Sequence, residues 1–407
     1  MTLIEFFSDS HIDNIAACLR LQPDKLIMIG DGQQMEAPLE RYRHLLRQRG
    51  WKTEILACDV QGKDLGDICA VLAGLVRKED ACVIDLTGGE TTAIMAVGAV
   101  LTGLDESTRE RIRVEKYDQD ADVVMDCVRD NCTVPYEPVW LTVEEWIGIH
   151  GGKIHPDSYQ PPQDCDYEAV DGLWKLATRD PKAWNRAMML LSEFESRADS
   201  KMQVYLHLPF IRNGITDFEE KEPVVRKLLE KFRQIGVISD YSGEKKLEYT
   251  YKDRLLRYCT QKAGNILEIK TLLEGRRVLG KNGPFFQDCR MSVGIDWDGV
   301  LHQPEEQVAD TRNEIDVILM HGTKPLFVSC KNGNVDEEEL YKLNTVADRF
   351  GGPNARKMLV ATDLDRKSDA SNRAFTQRAE DMDILVVADA PKLTQEEWAK
   401  SFKKAVQ

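Results

Sequence analysis

Asn313-Glu314-Ile315-Asp316-Val317-Ile318-Leu319-Met320 runs through His321-Gly322-Thr323 into Lys324-Pro325-Leu326-Phe327-Val328-Ser329-Cys330-Lys331. Two apolar runs of strand length around a His-Gly turn predict a hairpin. Strand side chains alternate between faces, so Ser329 and Lys331 point the same way. Working outward, GNILEIKTLLEG (264–275) predicts a helix and CRMSVGIDWDGV (289–300) a strand. Downstream, residues 336–350, 371–382 and 395–406 carry helical periodicity, while KMLVATD (357–363) and ILVVADA (384–390) read as buried strands. One helix, three consecutive strands and then helices alternating with strands make a mixed α/β core.

Asp316 opening one strand and Lys331 closing the next resembles the PD-(D/E)xK restriction-endonuclease-like nucleases. The resemblance implies a metal-dependent phosphodiester hydrolase with Mg²⁺ or Mn²⁺ as cofactor, oxygen ligands being what those ions prefer. It makes Asp316, Lys331, Glu268 and Ser329 the candidate catalytic positions, with Glu268 as the upstream acid. One position departs from the pattern, because Ser329 stands where the family has Glu. Serine brings no negative charge, and some enzymes of this fold with S-x-K recruit an acid from the following helix. Glu337, Glu338 and Glu339 start that helix here. The expected ion ligands are therefore Asp316, Glu268 and Glu338.

The first 155 residues have a different rhythm. LIEFF (3–7), KLIMIG (25–30), KTEILAC (52–58) and ACVIDL (81–86) are continuous apolar strands, each followed by a helical pattern. That is a parallel sheet covered on both faces. PVWLTVEEWI (138–147) is expected to add a last extended piece. Thr87-Gly88-Gly89-Glu90-Thr91 leads from the fourth strand into a helix, and two glycines before a helix N-terminus suit an anion. It is neither G-x-G-x-x-G nor a P-loop, which disfavours a nicotinamide enzyme or an NTPase. Ser8, Asp9 and Ser10 follow the first strand, Asp31 and Gly32 the second; all should line the same sheet edge.

D-L-T-G-G-E-T after the fourth strand, with a Ser-Asp loop after the first, resembles the CARF domain of CRISPR-associated effectors. That resemblance implies a homodimer binding a cyclic oligoadenylate, cyclic tetra-adenylate in the first instance, as allosteric activator. Ser8, Asp9, Ser10, Asp31, Gly32, Thr87, Gly88, Gly89, Glu90 and Thr91 are its candidate contacts. Between the two ends, HPDSYQPPQDCDYE (155–168) reads as a linker. Residues 222–253 then give a helix, a turn at Gly236 and two strands, a winged-helix pattern. The expected organisation is a Rossmann-like CARF domain at 1–155, a linker helix and winged-helix-like module at 156–255, and a restriction-endonuclease-like domain at 256–407. The order resembles that of CARF-linked ancillary nucleases of type III CRISPR systems, which implies cleavage of single-stranded RNA or DNA in antiviral defence. Ser329 leaves a second reading open: a sensor with weakened or lost catalysis, acting through nucleic-acid binding or transcriptional regulation.

Composition is consistent with a soluble globular protein of more than one domain: 407 residues, 42% hydrophobic and 30% charged. The start of the chain reads as a strand with no basic leader, so a cytoplasmic location without membrane partners is expected. Ten cysteines are scattered, and Cys127 with Cys132 has no second pair to complete a zinc site. The net charge of −15 argues against an indiscriminate nucleic-acid binder. Residues 257–407 carry only −2 of it and the first 256 carry −13. Nucleic acid is thus expected at the C-terminal part, with Arg276, Arg277, Lys281 and Arg290 as candidate backbone contacts.

Overall fold

The computed structural model describes residues 1–60, 64–118, 123–129, 132–156, 159–162, 167–302, 312–333, 335–364 and 369–407. The chain divides into two compact units, one made of Met1–Lys153, Asp296–Thr311 and Arg349–Asn354, the other of the remainder. The residues read as a linker are described at 155–156, 159–162 and 167–168; the rest of that stretch lies outside the described residues.

Unit 1 holds β1 (Thr2–Phe6), α1 (Ala16–Leu21), β2 (Lys25–Gly30), α2 (Gly32–Gln48), β3 (Glu54–Asp59), α3 (Leu65–Lys78) and β4 (Cys82–Asp85). It continues with α4 (Thr91–Thr102), α5 (Glu106–Arg109), β5 (Ile112–Asp118), β6 (Val123–Asp126), β7 (Thr133–Val134) and α6 (Val143–Ile149). The sheet order is β3-β2-β1-β4-β5-β6-β7. Its first five strands run parallel, β6 pairs antiparallel with β5, and β7 pairs antiparallel with β6. Strand order reverses direction between β1 and β4, the crevice where open α/β sheets hold ligands. Ile4, Phe6, Ile27, Ile29 and Ile84 pack against Leu72, Val76, Ala93, Ala96 and Val97 of α3 and α4 to make the core on one face.

The expected extended piece at 138–147 is corrected: Val143–Ile149 is a helix. Thr142 accepts from the Glu145 N–H while the Glu145 carboxylate takes the Thr142 N–H, a capping box that starts the helix inside the apolar run.

Two histidines, His150 buried and His11 partly so, give unit 1 an acid sensitivity. His11 Nδ1 lies 2.9 Å from the Tyr42 hydroxyl, and His150 stacks on Trp146 at 4.8 Å. Burial pulls His11 down to about 3 and His150 to about 4. Both are neutral in folded and unfolded chain above about 6.5, the unfolded value. Below it the unfolded chain takes up protons that the folded one refuses, so stability is lost from about pH 6.5 toward 4. Stability should fall over that window by about 1 kcal/mol per histidine, about 2 kcal/mol together, in the first pH unit, read as a lower melting temperature. A His150→Phe protein should show a shallower fall; identical slopes would remove His150 from the effect.

Unit 2 is built on a second sheet. Its elements are β8 (Lys153–Ile154), α7 (Tyr167–Arg179), α8 (Pro181–Glu195), β9 (Gln203–His207), α9 (Leu208–Ile211), α10 (Phe218–Ile235), β10 (Ile238–Ser242) and β11 (Lys246–Tyr251). Then come α11 (Arg254–Cys259), α12 (Asn265–Arg277), β12 (Leu279–Gly280), β13 (Gly283–Pro284), β14 (Asp288–Asp296), β15 (Arg312–His321) and β16 (Lys324–Lys331). The chain ends with α13 (Glu337–Gly351), β17 (Arg356–Ala361), α14 (Asp369–Asp381), β18 (Ile384–Val387) and α15 (Gln395–Val406). The order β18-β17-β16-β15-β14-β8 is mixed: β15 and β16 form the antiparallel hairpin, and β17 and β18 follow in parallel. Helix α10 with β10 and β11 keeps the helix-plus-wing order, and β9 adds a third strand.

Helix α12 positions the site. Ile266, Leu267, Ile269, Leu272 and Leu273 are all buried, so the helix is covered around most of its girth. Gly275 lets it sit directly on β15, since a Cβ there would stand 2.9 Å from Leu319 Cδ1. This close seat carries Glu268, two turns earlier, toward the start of β15.

Candidate functional site

Asp316, midway along β15, converges with Ser329 and Lys331 at the end of β16. The Asp316 carboxylate accepts from the Cys330 backbone N–H at 2.6 Å and from the Ser329 hydroxyl at 3.3 Å. Lys331 Nζ stands 3.9 Å from Asp316 Oδ2 and 2.8 Å from Glu339 Oε2. These residues, with Asn313, Glu314, Glu338, Tyr341 and Lys342, line a cavity of about 510 Å³.

The electrostatics are those of carboxylates crowded out of water. Burial, then the charges of Asp316 and Glu314, push Glu268 up to about 7. Burial raises Asp316 too, against the pull of Lys331. Burial works against the Lys331 ammonium, but Asp316 and Glu339 hold its pKa above the ordinary value. Burial is the first cause at both carboxyls, and like charge adds to it at each. Among the described residues no three His, Cys, Asp or Glu side chains form a ready-made cage for an ion. Two carboxylates with water and phosphate oxygens are nevertheless what Mg²⁺ ordinarily takes. Glu268 and Asp316, near enough for Asp316 to raise Glu268, are the residues that would hold one.

Residues 262–399 match the Card1-like endonuclease domain family. The match takes in Glu268, Asp316 and Lys331. No curated protein matches the chain. Among solved structures, protein VC1899 from Vibrio cholerae is similar with a TM-score of 0.69 and 17% identity, covering 100% of this chain and 97% of that one. Can2 from Sulfobacillus thermosulfidooxidans, solved in complex with cyclic tetra-adenylate, is similar with a TM-score of 0.64 and 15% identity, covering 100% and 99%. At such identities the likeness is one of fold.

In the region that matches this family, the acid nearest Lys331 is Glu339. Glu338 also lines the cavity, but it is 72% exposed and pairs with Lys342 at 2.9 Å. One residue is 100° of helix, enough to decide which of the two carboxylates reaches Lys331. Glu314 stands two residues before Asp316 on β15, a position that the nuclease pattern leaves without a role. It lines the same cavity and raises both Glu268 and Asp316, and the two-residue strand period was the signal that placed it there. Tyr258 was missed altogether; its hydroxyl reaches Glu268 Oε2 at 3.4 Å. The expected backbone-binding arginines are occupied. Arg276 donates to the Pro161 and Pro162 carbonyls, and Arg277 pairs with Glu274 and Asp171 and covers the Tyr167 ring.

The companion cleft in unit 1 opens at the strand reversal and has a volume of about 350 Å³. Ser8, Asp9, Asp31 and Glu90 line it, together with Phe7, Gln34 and Thr92. Ser10, Gly32, Thr87, Gly88, Gly89 and Thr91 do not line it and act behind it or beside it. Thr87 Oγ1 donates to Asp85 Oδ1 at 2.8 Å and accepts the Tyr117 N–H at 2.9 Å, which turns its hydroxyl into the sheet. Asp85 also takes the Thr87 N–H, and burial raises it to about 7. Asn14 grips both ends of Ser8, accepting its N–H at 2.8 Å and donating to its carbonyl at 2.7 Å. Gly32 N–H donates to Asp59, and the Asp31 carboxylate caps α2. Gly88 passes so close to β1 that a Cβ would stand 2.8 Å from the Phe6 carbonyl.

Proposed function

We propose that the chain is a divalent-metal-dependent endonuclease acting on single-stranded RNA or DNA in type III CRISPR defence, and that a cyclic oligoadenylate switches it on. The observation that carries the reading is the Lys331 ammonium standing between Asp316 and Glu339 in an open cavity, with Glu268 raised beside it. The Card1-like endonuclease match over the same residues supports it.

Asp316 and Glu268 are the residues that hold the ion. Once bound, Mg²⁺ or Mn²⁺ supplies charge stabilisation at the phosphate and acidifies a water. Lys331 orients that water or neutralises the oxygen on which charge builds. Glu339 sets the position of the Lys331 ammonium, and its carboxylate takes the place in the site that Ser329 leaves without charge. In unit 1, the first-turn amides of α4 face ring phosphates. Asp9, Asp31 and Glu90 are acceptors for ribose hydroxyls and adenine amino groups, which carboxylates bind and phosphates do not. The fold likeness to Can2, solved with cyclic tetra-adenylate, favours that ring, and a dimer of this chain would bring two clefts to one ligand. The ring can activate only by binding the competent state better than the resting one.

The test mixes full-length protein, Mn²⁺ and labelled single strands with and without cyclic tetra-adenylate. Cleavage is expected only when ion and ring are both present. Cleavage indifferent to the ring would remove the switch. Ring binding with no cleavage of either nucleic acid would leave a sensor, the outcome that Ser329 would then explain.

A further inference from the structure

We propose that Tyr258 is a positioning residue of the active site: held by Ser292 and braced by Tyr159, it fixes the Glu268 carboxylate for the divalent ion. The inference rests on the nuclease reading above. Tyr258 lies near the end of α11, and its hydroxyl is 2.6 Å from Ser292 Oγ and 3.4 Å from Glu268 Oε2. With Ser292 donating to the phenol oxygen, the phenolic proton is left for Glu268, the one acceptor on its other side.

The surroundings hold the phenol rather than merely tolerate it. Ser292 lies within β14 with φ +46°, a left-handed backbone that a serine in a strand adopts only under compulsion. It is 6% exposed, so the strain aims its hydroxyl inward at Tyr258 and at no solvent. The preceding residue, Met291, is clamped by a side chain: Gln160 Nε2 donates to its carbonyl at 2.6 Å and Gln160 Oε1 accepts its N–H at 3.1 Å. A lone amide thus stands in for a strand partner where the left-handed residue disturbs the regular backbone. Next to Gln160, the Tyr159 ring stacks on Tyr258 at 4.7 Å with 17° between planes. Asn265, the first residue of α12, donates to the Tyr258 carbonyl at 2.8 Å and ties α11 to the helix bearing Glu268. The short stretch read as a linker therefore serves the site, through one hydroxyl.

Hydrogen-bonded partners of ion-binding carboxylates ordinarily hold ligand orientation, and their loss costs about 10- to 100-fold in metal affinity. The probe is Mn²⁺ alone, titrated into the full-length chain and followed by the paramagnetic resonance signal of the free ion. The parent should show a saturable site that Asp316→Asn removes. Tyr258→Phe, which keeps the ring and its stack, should bind about 10-fold more weakly or worse. Ser292→Ala should weaken binding in the same direction with the phenol still present, and it decides the matter if Tyr258→Phe does not fold. Parent-like affinity in both folded variants overturns the positioning role and leaves the nuclease reading standing. A parent with no Asp316-dependent Mn²⁺ site overturns both.

Discussion

An Asp316→Asn protein should still bind its cyclic ligand and should lose cleavage by about 10³-fold or more. An amide keeps the shape and can still accept the Cys330 N–H that Asp316 takes at 2.6 Å. It loses the negative charge that holds the ion, and ion-borne charge stabilisation is worth several kcal/mol in a phosphoryl transition state. Each 1.36 kcal/mol is a factor of ten in rate, which sets the size of the loss. Lys331→Ala should cost about 10²- to 10³-fold, the usual effect of removing one well-placed charge donor. The folded state should not suffer with the activity. Asp316 repels Glu268 in the resting site, so neutralising it relieves a raised, buried carboxyl and the melting temperature should hold or rise. Single-turnover cleavage of a labelled strand, with the melting curve alongside, measures both. If Asp316→Asn cleaves within about tenfold of the parent, hydrolysis happens somewhere else.

Gly88→Ala should separate sensing from chemistry. The added Cβ would meet the Phe6 carbonyl at 2.8 Å, with Ser8 Cβ and Asn14 Oδ1 at 3.4 Å. Phe6 is the last residue of β1, so the first obstacle is backbone in a parallel sheet and has little freedom to retreat. The turn after β4 and the Ser8-Asp9 loop after β1 are pushed apart, which opens the cleft where it should close on a ligand. Overpacking of this kind costs about 1–3 kcal/mol. Paid at the cleft, it weakens ring binding by about 5- to 150-fold. The ring concentration for half-maximal cleavage should rise by that factor, with cleavage at saturation little changed. Gly89→Ala is the control, because its Cβ would meet nothing closer than the Leu86 carbonyl at 3.4 Å. A Gly88→Ala protein that responds like the parent would show that the turn after β4 takes no part in activation.

Both candidate clusters were legible in the sequence because each depends on strand geometry. A strand's period of two is exact enough to place Asp316, Ser329 and Lys331 together, and a parallel strand's carboxyl end places Ser8 and Asp31 at one rim. Glu268 was found through the pattern it resembles, and α12 brought it into place through Gly275. What sequence could not give was direction within a helix or a turn. Glu338 and Glu339 differ by 100° of rotation, and only the packed position of α13 chooses between them. Thr87 has the composition of a ligand contact, yet Asp85 beneath it and the Tyr117 N–H beside it claim its hydroxyl. Arg276 and Arg277 read as free cations until carbonyls and carboxylates distant in sequence consume them. The Thr142-Glu145 capping box was visible in the letters, but an apolar run rich in Val, Trp and Ile hid it behind strand propensity.

The crowd of acids around Lys331 has a bearing on how the protein shares a cell with other polyanions. Glu314, Asp316, Glu338 and Glu339 line the cavity against the ammonium groups of Lys331 and Lys342, so its mouth is electronegative toward a phosphodiester. On the proposed metal-dependent reading, affinity for a strand rises only as the cavity takes up its ion, so the supply of free divalent cation sets when a strand can be engaged.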